Sequence, residues 1–309
     1  MCAVSILFLI HDLPEDSQSN LWLFTQAAIT ANIQVAWGVI DSLELSGREV
    51  LVRGSMLTNS SSLTSYEPSR HLSLSDFETI WVLSLGHRST FLDKIQLLHL
   101  LPQSKLINNC DALLHLNSKY ALALLPESIN QPSRIASSDP ASIKYALDRS
   151  STWIFKPPAE SHGRSVYKIQ PDDPNANAII EHEMPSMGHT FRLLESWLPN
   201  IEHGEKRVLM ADGSIIGCYE RQGKLDHRTN LAAGATPSLA RLNTDEQTLC
   251  RAVAKYSLDG GARFIGIDLV YPYVVEINVV NPGGLGTLLA LGEPLSGTTV
   301  LDALGLISP

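Results

Sequence analysis

The sequence has few cysteines and no long apolar run, and both absences exclude classes of protein. Its 4 cysteines have neither CxxC spacing nor the pattern of a disulfide framework, which indicates reduced thiols in a cytoplasmic protein. No apolar stretch approaches the roughly 20 residues needed to span a bilayer. The apolar run from Ala3 to Ile10 lacks a basic segment before it and is followed by His11 and Asp12, so it predicts a first strand and not a signal peptide. We expect a soluble protein with no membrane partner.

Basic residues are also scarce. There are 23 Lys and Arg against 32 Asp and Glu, a net charge of -9. This balance argues against nucleic-acid binding, which needs a basic face, but leaves room for anionic small substrates in local pockets. The hydrophobic fraction of 44% and the length of 309 residues allow one large core or two to three modest ones.

Strands alternate with helices over the first third of the chain. Apolar runs predict strands at 4–10, 34–40, 79–85 and 105–108, with helices at 21–30 and 91–101. The Ser/Thr-rich stretch 46–75 has no clear period, and only Arg48 to Leu51 could form a hairpin strand there. This order predicts an α/β N-terminal domain with a mostly parallel sheet.

Antiparallel strands with few helices are predicted from Trp153 onward, which indicates an α+β part. Two helix starts stand out in the sequence. Asp139 and Pro140 form an N-cap followed by proline at the first helical position. Asn243 and Glu246 have the spacing of a capping box. A helix is also predicted from Asn117 to Leu125, before Pro126.

Three polar residues interrupt two apolar strands near the C-terminus. Asp268 lies in one strand, and Glu276 and Asn278 lie on one face of the next, so their oxygens could bind a hard cation such as Mg²⁺. A connection with Pro272 at its centre would place Asp268 opposite Glu276, whereas a two-residue loop would send them to opposite faces. The metal interpretation therefore requires an odd-length connection. Two surface acids on an antiparallel edge are the alternative.

Upstream residues fit the same chemistry. Lys119 opens a helix and Lys156 lies inside an apolar strand, where a lysine is normally paired, snorkelling or bound to an anion. The turn 157–165 could aim backbone N–H groups at phosphates, or be an ordinary hairpin loop. The stretch 222–235 could be a lid with glycine hinges, or a disordered surface loop. Together these features indicate ATP–Mg²⁺ phosphoryl chemistry, although no Walker or kinase motif is present.

From about Lys105 to the C-terminus, the sequence resembles the bacterial glutathione synthetases of the ATP-grasp superfamily. The Arg228 to Gly234 run is quite specific to that group. The matching stretches are Ile107 to Asn109, Asn117 to Lys119, Ile154 to Pro157, Gly204 to Leu209 with Asp212 and Gly213, Arg228 to Gly234, Phe264 to Asp268 and Glu276 to Val279.

The resemblance implies a pre-ATP-grasp domain at 1–117, a small lid subdomain at 118–198 and a C-terminal subdomain with the metal site at 199–309. The two ATP-grasp subdomains would each have an antiparallel sheet. The implied cofactors are ATP and Mg²⁺, as two ions, with Mn²⁺ a possible substitute. By position, ATP would be bound by Lys119, Lys156, Gly163, Glu195, Trp197, Leu198 and Glu205, the metal by Asp268, Glu276 and Asn278, and an acyl phosphate by Arg207, Arg228 and Asn230.

The implied reaction is a carboxylate–amine ligation through an acyl phosphate. The substrates would be small amino acids or peptides, and a symmetric homo-oligomer is usual for the family. The sequence departs from the family at 85–93, at 158–164 and after Val280, where substrate recognition is expected. Arg221, Asn281, Gly283 and Gly284 are the candidate substrate residues.

Three functions stay open. A glutathione-forming ligase acting on γ-glutamylcysteine and glycine is the first. A ligase of a biosynthetic cluster that joins other amino acids or a modified acid is the second. A nucleotide-binding regulatory protein without catalysis is the third.

Overall fold

The structure is a computed structural model that describes residues 5–13, 16–57, 68, 70–147, 151–158, 165–185, 190–223 and 234–307. The strands are β1 (Ser5–Ile10), β2 (Gln34–Val39), β3 (Glu44–Ser46), β4 (Glu49–Leu57), β5 (Arg70–Ser73), β6 (Thr79–Val82), β7 (Leu106–Ile107), β8 (Arg134–Ser137), β9 (Trp153–Lys156), β10 (Tyr167–Ile169), β11 (Arg192–Ser196), β12 (Glu205–Ala211), β13 (Ser214–Gln222), β14 (Thr236–Leu239), β15 (Phe264–Val270) and β16 (Tyr273–Asn278). The helices are α1 (Asn20–Thr30), α2 (Phe91–His99), α3 (Pro140–Ala146), α4 (Ala176–Glu183), α5 (Thr244–Asp259), α6 (Leu285–Ala290) and α7 (Gly297–Ala303).

The first sheet has a parallel centre and an antiparallel extension. Strands β2, β1, β6 and β7 are neighbours in that order and run parallel. Strand β4 pairs antiparallel with β2 and carries β3 and β5. The stretch 46–75, which has no clear period in sequence, supplies β4 and β5. Gly47 has φ 62, a backbone conformation that glycine adopts without strain, and it turns the chain from β3 into β4.

The second sheet is small and antiparallel, in the order β10-β9-β11-β8. Helices α3 and α4 cover it, and Phe155, Ile180 and Leu194 lie in their common core. Asp139 caps α3 by accepting from the backbone N–H groups of Ala141 and Ser142, so this predicted helix start is confirmed.

The third sheet is antiparallel, in the order β14-β13-β12-β15-β16. Alternate residues of β12 enter two cores. Val208 and Met210 pack toward the cluster that contains α5, while Leu209 and Ala211 join a cluster with α1, α6, α7 and β1. The predicted capping box of Asn243 and Glu246 begins α5.

The first and third sheets both contribute residues to the cluster that contains α1, α6, α7 and β1. The ring of Phe264 on β15 lies edge-on to Phe24 at 5.7 Å and to Trp81 at 5.5 Å. The predicted order, an α/β part followed by an α+β part with two antiparallel sheets, is confirmed. None of the described helices is long and apolar enough to cross a membrane.

The helix predicted from Asn117 to Leu125 differs in the structure. A π-helical turn spans Ala112–Leu116, and a 3-10 helix spans Lys119–Leu124. Between them, Ser118 is extended, and its hydroxyl accepts from the N–H of Tyr120 at 3.1 Å. A serine that bonds its local backbone in this way interrupts an α-helix, which explains the break.

Candidate active site

One row of side chains crosses the third sheet. Tyr219 on β13 pairs with Arg207 on β12, which pairs with Asp268 on β15, which in turn pairs with Glu276 on β16. Paired residues of an antiparallel sheet lie on the same face, so the four side chains form a line perpendicular to the strands. Glu205, two residues before Arg207, lies on this face as well.

A β-bulge and not the length of the turn places Asp268 opposite Glu276. Val270 pairs with Tyr273, so the connection is a two-residue loop and not the odd-length connection on which the metal interpretation was conditional. Between Asp268 and Leu269 the register shifts by one residue, which leaves Val275 as the extra residue of β16. The shift restores the pairing that the metal interpretation needs. Asp268 is buried, which excludes a surface acid at this position.

Asp268 is held by two arginines. Arg207 donates to it through Nε at 2.5 Å and through a terminal nitrogen at 2.9 Å. Arg221 approaches the same carboxylate at 3.0 Å and also donates to Glu205 at 2.7 Å. Burial acts to raise the pKa of Asp268, but the charges of Arg207 and Arg221 outweigh it and lower the pKa to about 2. The carboxylate is therefore ionised at neutral pH.

The remaining residues of this face fit a hard cation. The Asn278 amide donates to Oδ2 of Asp268 at 3.3 Å. Rotation of the Asn278 amide by half a turn would place its oxygen, in place of its nitrogen, toward the site and free a lone pair on Oδ2 of Asp268. Glu276 contributes a partly exposed carboxylate on the same face. Asp268, Glu276 and Asn278 then offer oxygen donors alone, the ligand set that Mg²⁺ takes.

Lys119 reaches the same face from the 3-10 helix. Its ammonium lies 2.9 Å from Oε1 of Glu276. The two residues lie 157 positions apart in sequence, so only the fold brings them together. The predicted phosphate-binding lysine and the predicted metal-binding strand are therefore adjacent in space.

Lys156 lies in a second buried cluster. It donates to Glu195 at 2.8 Å, and Arg134 donates to the other carboxylate oxygen at 2.6 Å. Burial acts to raise the pKa of Glu195, but Lys156 and Arg134 lower it overall. Arg134 also donates to the carbonyl of Val275, the bulge residue, at 3.2 Å. It thus links the second sheet to β16, the predicted metal-binding strand.

Sequence reasoning missed Arg134. It lies on β8 directly opposite Glu195 on β11. Strand β8 was not predicted, and its short sequence offers no strong periodic signal. An arginine 61 residues from its carboxylate partner can be found only from the tertiary structure.

The segment from Glu195 to Leu198 was predicted to pair with adenine through its backbone. The N–H of Ser196 donates to Ser133 at 2.9 Å, and that of Trp197 donates to Thr152 at 3.0 Å. Those two amides are therefore engaged in the sheet, and the adenine contact stays a prediction. Lys168 lies 3.7 Å from the centroid of the Trp197 ring, a cation–π contact at the same segment.

Asn20, the first residue of α1, supports the turn at 281–284. Its amide donates to Oδ1 of Asn281 at 2.8 Å and to the carbonyl of Pro282 at 3.0 Å. The carbonyl of Gly283 accepts from Arg207 at 3.1 Å. The candidate substrate turn is thus fixed between the N-terminal domain and the arginine of the central row. Sequence reasoning missed Asn20, which lies 261 residues from Asn281.

We expect Asn20→Ala to weaken the use of the amine or acid substrate and to leave ATP binding unchanged. The change leaves one half-buried and one buried acceptor without their donor, at a cost of about 1–3 kcal/mol to the turn. Substrate KM should rise, while the ATP dissociation constant from calorimetry stays constant. The matched control is Ser19→Ala, since the Ser19 hydroxyl has no hydrogen-bond partner within the described residues. Equal KM values for the two variants would contradict the prediction.

We expect substitution by alanine to have different effects on stability at two neighbouring glycines of the turn. Gly284 has φ 137, and a Cβ there would lie 2.8 Å from the Tyr219 ring. Gly283 has nothing within 4 Å of a Cβ. We expect Gly284→Ala to cost about 1–3 kcal/mol in unfolding free energy, from strain and from the displaced ring. Gly283→Ala should stay within about 0.5 kcal/mol of the wild type. Equal urea midpoints for the two variants would refute this assignment.

Gly163, Arg228 and Asn230 lie outside the described residues, as does most of the predicted lid at 222–235. Their roles stay predictions. The same holds for the three domain limits, which nothing in the structure tests.

The comparison with known families agrees with this arrangement. Residues 119–292 match the family model for the ATP-grasp domain of prokaryotic glutathione synthetase. The matched range begins at Lys119 and includes the row from Arg207 to Glu276. The chain belongs to the prokaryotic glutathione synthetase ATP-grasp family.

Individual relatives within this family are distant. The chain is 32% identical over 181 residues to a glutathione synthetase of Xylella fastidiosa, covering 58% of this chain and 57% of that protein. It is 28% identical over 203 residues to one of Synechococcus elongatus, covering 65% and 60%. The chain thus spans less than two thirds of the length of these curated relatives.

Solved structures share the whole fold. A D-cycloserine synthetase superposes with a TM-score of 0.69 over 97% of this chain and 98% of that chain, at 13% identity. A RiPP-associated ATP-grasp ligase of Chryseobacterium gregarium superposes with a TM-score of 0.66 over 99% and 98%, at 14% identity. The fold is therefore the ATP-grasp fold, from the N-terminal sheet onward.

Proposed function

We propose that this protein is an ATP-dependent carboxylate–amine ligase. The observation that carries the proposal is the row on the third sheet, in which ionised Asp268 lies between Arg207, Arg221 and the oxygen donors of Glu276 and Asn278. Such a face combines sites for hard cations with fixed positive charge, which is what phosphoryl transfer requires. Family membership supports the same conclusion.

In this proposal each group has a role that its position supports. Asp268, Glu276 and Asn278 hold Mg²⁺, which, when bound, neutralises charge on the phosphates. Lys119 lies beside Glu276 and binds a phosphate oxygen of ATP. Lys156 binds ATP from the second sheet, and Arg207 lies close enough to the turn at Gly283 to bind the reacting carboxylate.

The proposed reaction has two steps. A carboxylate oxygen of the acid substrate attacks the γ-phosphorus of ATP, which gives an acyl phosphate and ADP. The amine of the second substrate then attacks the acyl carbon, loses a proton, and phosphate leaves as the amide forms. Arginines that are already paired and buried stabilise the developing charge without having to reorganise.

γ-Glutamylcysteine and glycine are the first substrate pair to test. The purified protein is incubated with both, with ATP and with Mg²⁺, and ADP and glutathione are measured. We expect equal amounts of both products. The Glu276→Gln variant should lose the activity, whereas Glu127→Gln, at an exposed position, should retain it. No ADP release above the blank would remove this substrate pair.

A different acid or amine is the second candidate, and the turn at 281–284 favours it. This turn departs from the glutathione synthetase pattern, yet Asn20 and Arg207 hold it in place. A panel of amino-acid pairs and short peptides, read by phosphate release, separates the two candidates. ATP binding with no turnover on the whole panel would contradict the ligase proposal and favour a nucleotide-binding regulatory protein.

A further inference from the structure

The first sheet carries a polar cluster that has no part in the phosphoryl-transfer steps proposed above. His11 directly follows β1, Asp41 follows β2, and His87 lies in the loop after β6. These three strands are parallel neighbours, so their carboxyl ends meet at one edge. The chain leaves β1 toward β2 through α1 and leaves β6 toward β7 through α2, in opposite directions. A crevice at such a switch point is where open parallel sheets bind ligands.

The three side chains have the spacing of metal ligands. One potential ligand atom from each lies within 4.8 Å of the others. Nδ1 of His11 lies 2.5 Å from Oδ2 of Asp41, and the two imidazole rings lie edge to face with centroids 4.8 Å apart. Ligand atoms about 2.0–2.1 Å from a tetrahedral ion lie about 3.3 Å from one another. A small rotation of the His11 ring would widen its distance to Asp41 to this value and make room for an ion.

Asp41 is fixed in place for this role. Its Oδ1 accepts from the N–H of His87 at 2.9 Å and from the ammonium of Lys94. Lys94 also donates to the carbonyls of Leu85 at 2.9 Å and His87 at 3.1 Å, which ties the loop to α2. The contacts that Asp41 accepts from Lys94 and His87 N–H use Oδ1, while Oδ2 contacts His11. Hydrogen bonds of this kind orient a carboxylate ligand in metal sites.

The loop after β6 closes over the carboxylate because of a glycine. Gly86 has φ +61, and a Cβ there would overlap the Asp41 carboxylate. The Asp41 carboxylate forms an ion pair with Lys94 and lies close to two imidazoles, which gives a donor set of two nitrogens and one oxygen.

We propose that His11, Asp41 and His87 bind a divalent transition-metal ion of the zinc type, with a fourth position open to solvent or to a ligand. Imidazole nitrogen suits Zn²⁺, whereas Mg²⁺ prefers oxygen donors, so this site differs in kind from the face of Asp268, Glu276 and Asn278. The proposal is independent of the ligase reaction. Three protein ligands with one open position are typical of sites that act on a bound group and not of purely structural ones.

The test is zinc binding by the full-length protein, measured by equilibrium dialysis with excess Mg²⁺ present to occupy oxygen-only sites. We expect one Zn²⁺ per chain. Loss of an outer-shell partner typically costs about 10–100-fold in metal affinity, so His87→Ala, which removes a ligand, should cost at least that much. The matched control is His71→Ala, because His71 also pairs with a carboxylate, Glu44 at 2.9 Å, but lies outside the cluster.

X-ray absorption at the zinc edge provides the second readout. We expect nitrogen and oxygen scatterers at about 2.0–2.1 Å and no sulfur at about 2.3 Å. Burial raises the pKa of Cys110 to about 11 and of Cys218 and Cys250 to about 12, which opposes thiolate binding by these residues. A sulfur shell, no bound zinc in the wild type, or equal affinity in wild type and His87→Ala would overturn the proposal. His87 is exposed, so this variant is expected to fold.

Discussion

The Asp268→Asn variant is expected to lose about 3–5 kcal/mol of unfolding free energy and to reduce ligation about 10²–10³-fold. The stability loss arises because Arg207 and Arg221, both buried, lose the anion that they share. The activity loss is expected because the central row loses the buried carboxylate that is proposed to bind the cation. Urea denaturation gives the first quantity, and ADP release under the substrate panel gives the second.

The control is Asp302→Asn, the same change at an exposed position of α7. This variant should stay within about 0.5 kcal/mol of the wild type, since surface substitutions away from such clusters rarely cost more. An Asp268→Asn protein as stable as this control would show that Arg207 and Arg221 find other partners. The stability of the row would then not depend on Asp268.

The contribution of Asp268 to the free energy of unfolding should also depend on pH. Its pKa in the folded protein is about 2, below the ordinary value of 3.8, so the ionised form stabilises the fold. This contribution is complete above the ordinary pKa and disappears as the pH falls through the folded-state pKa. The stability difference between wild type and Asp268→Asn should therefore be constant near neutral pH and shrink between about pH 4 and pH 2. A difference that grows in acid would contradict the assignment.

The Asn108→Asp variant is expected to lose about 4 kcal/mol or more of unfolding free energy. The Asn108 amide, which is buried, donates to the carbonyls of Phe264 at 2.8 Å and Val279 at 2.7 Å. Its oxygen accepts from the N–H groups of Arg263 at 2.6 Å and Phe264 at 2.9 Å. A carboxylate cannot donate, so two buried carbonyls would face a buried charge.

Asn117→Asp is the matched control, because Asn117 is exposed in the same part of the chain. It should shift the urea midpoint little, within about 0.5 kcal/mol. Asn108 joins the end of β7 to β15 and to the residue after β16, so Asn108→Asp should also loosen the metal-binding strand. Hydrogen exchange that stays unchanged at Phe264 and Val279 in the variant would argue against this link.

Local patterns in the sequence predicted a large part of the fold and of the site. Asp139 and Asn243 were identified as caps because an N-cap depends only on residues within one turn. Lys156 was expected to be paired, snorkelling or bound to an anion because it interrupts an apolar strand, and the structure pairs it with Glu195. The pairing of Asp268 with Glu276 was conditional on an odd-length connection, whereas the structure reaches it with a two-residue loop and a β-bulge. Turn residues do not reveal this bulge, whose extra residue, Val275, accepts at its carbonyl from Arg134 across 141 residues.

The sequence by itself determined which groups are available for the proposed chemistry: oxygen donors on β16, lysines in apolar surroundings, and an order of motifs that resembles one ligase family. Only the tertiary structure decided which groups act together. Arg207 meets Asp268 across 61 residues, and Asn20 meets Asn281 across 261. Side-chain alternation and helix capping are local and can be seen in a few neighbouring residues. The pairing of distant strands depends instead on the burial of a shared core, and no short stretch of the chain contains that information.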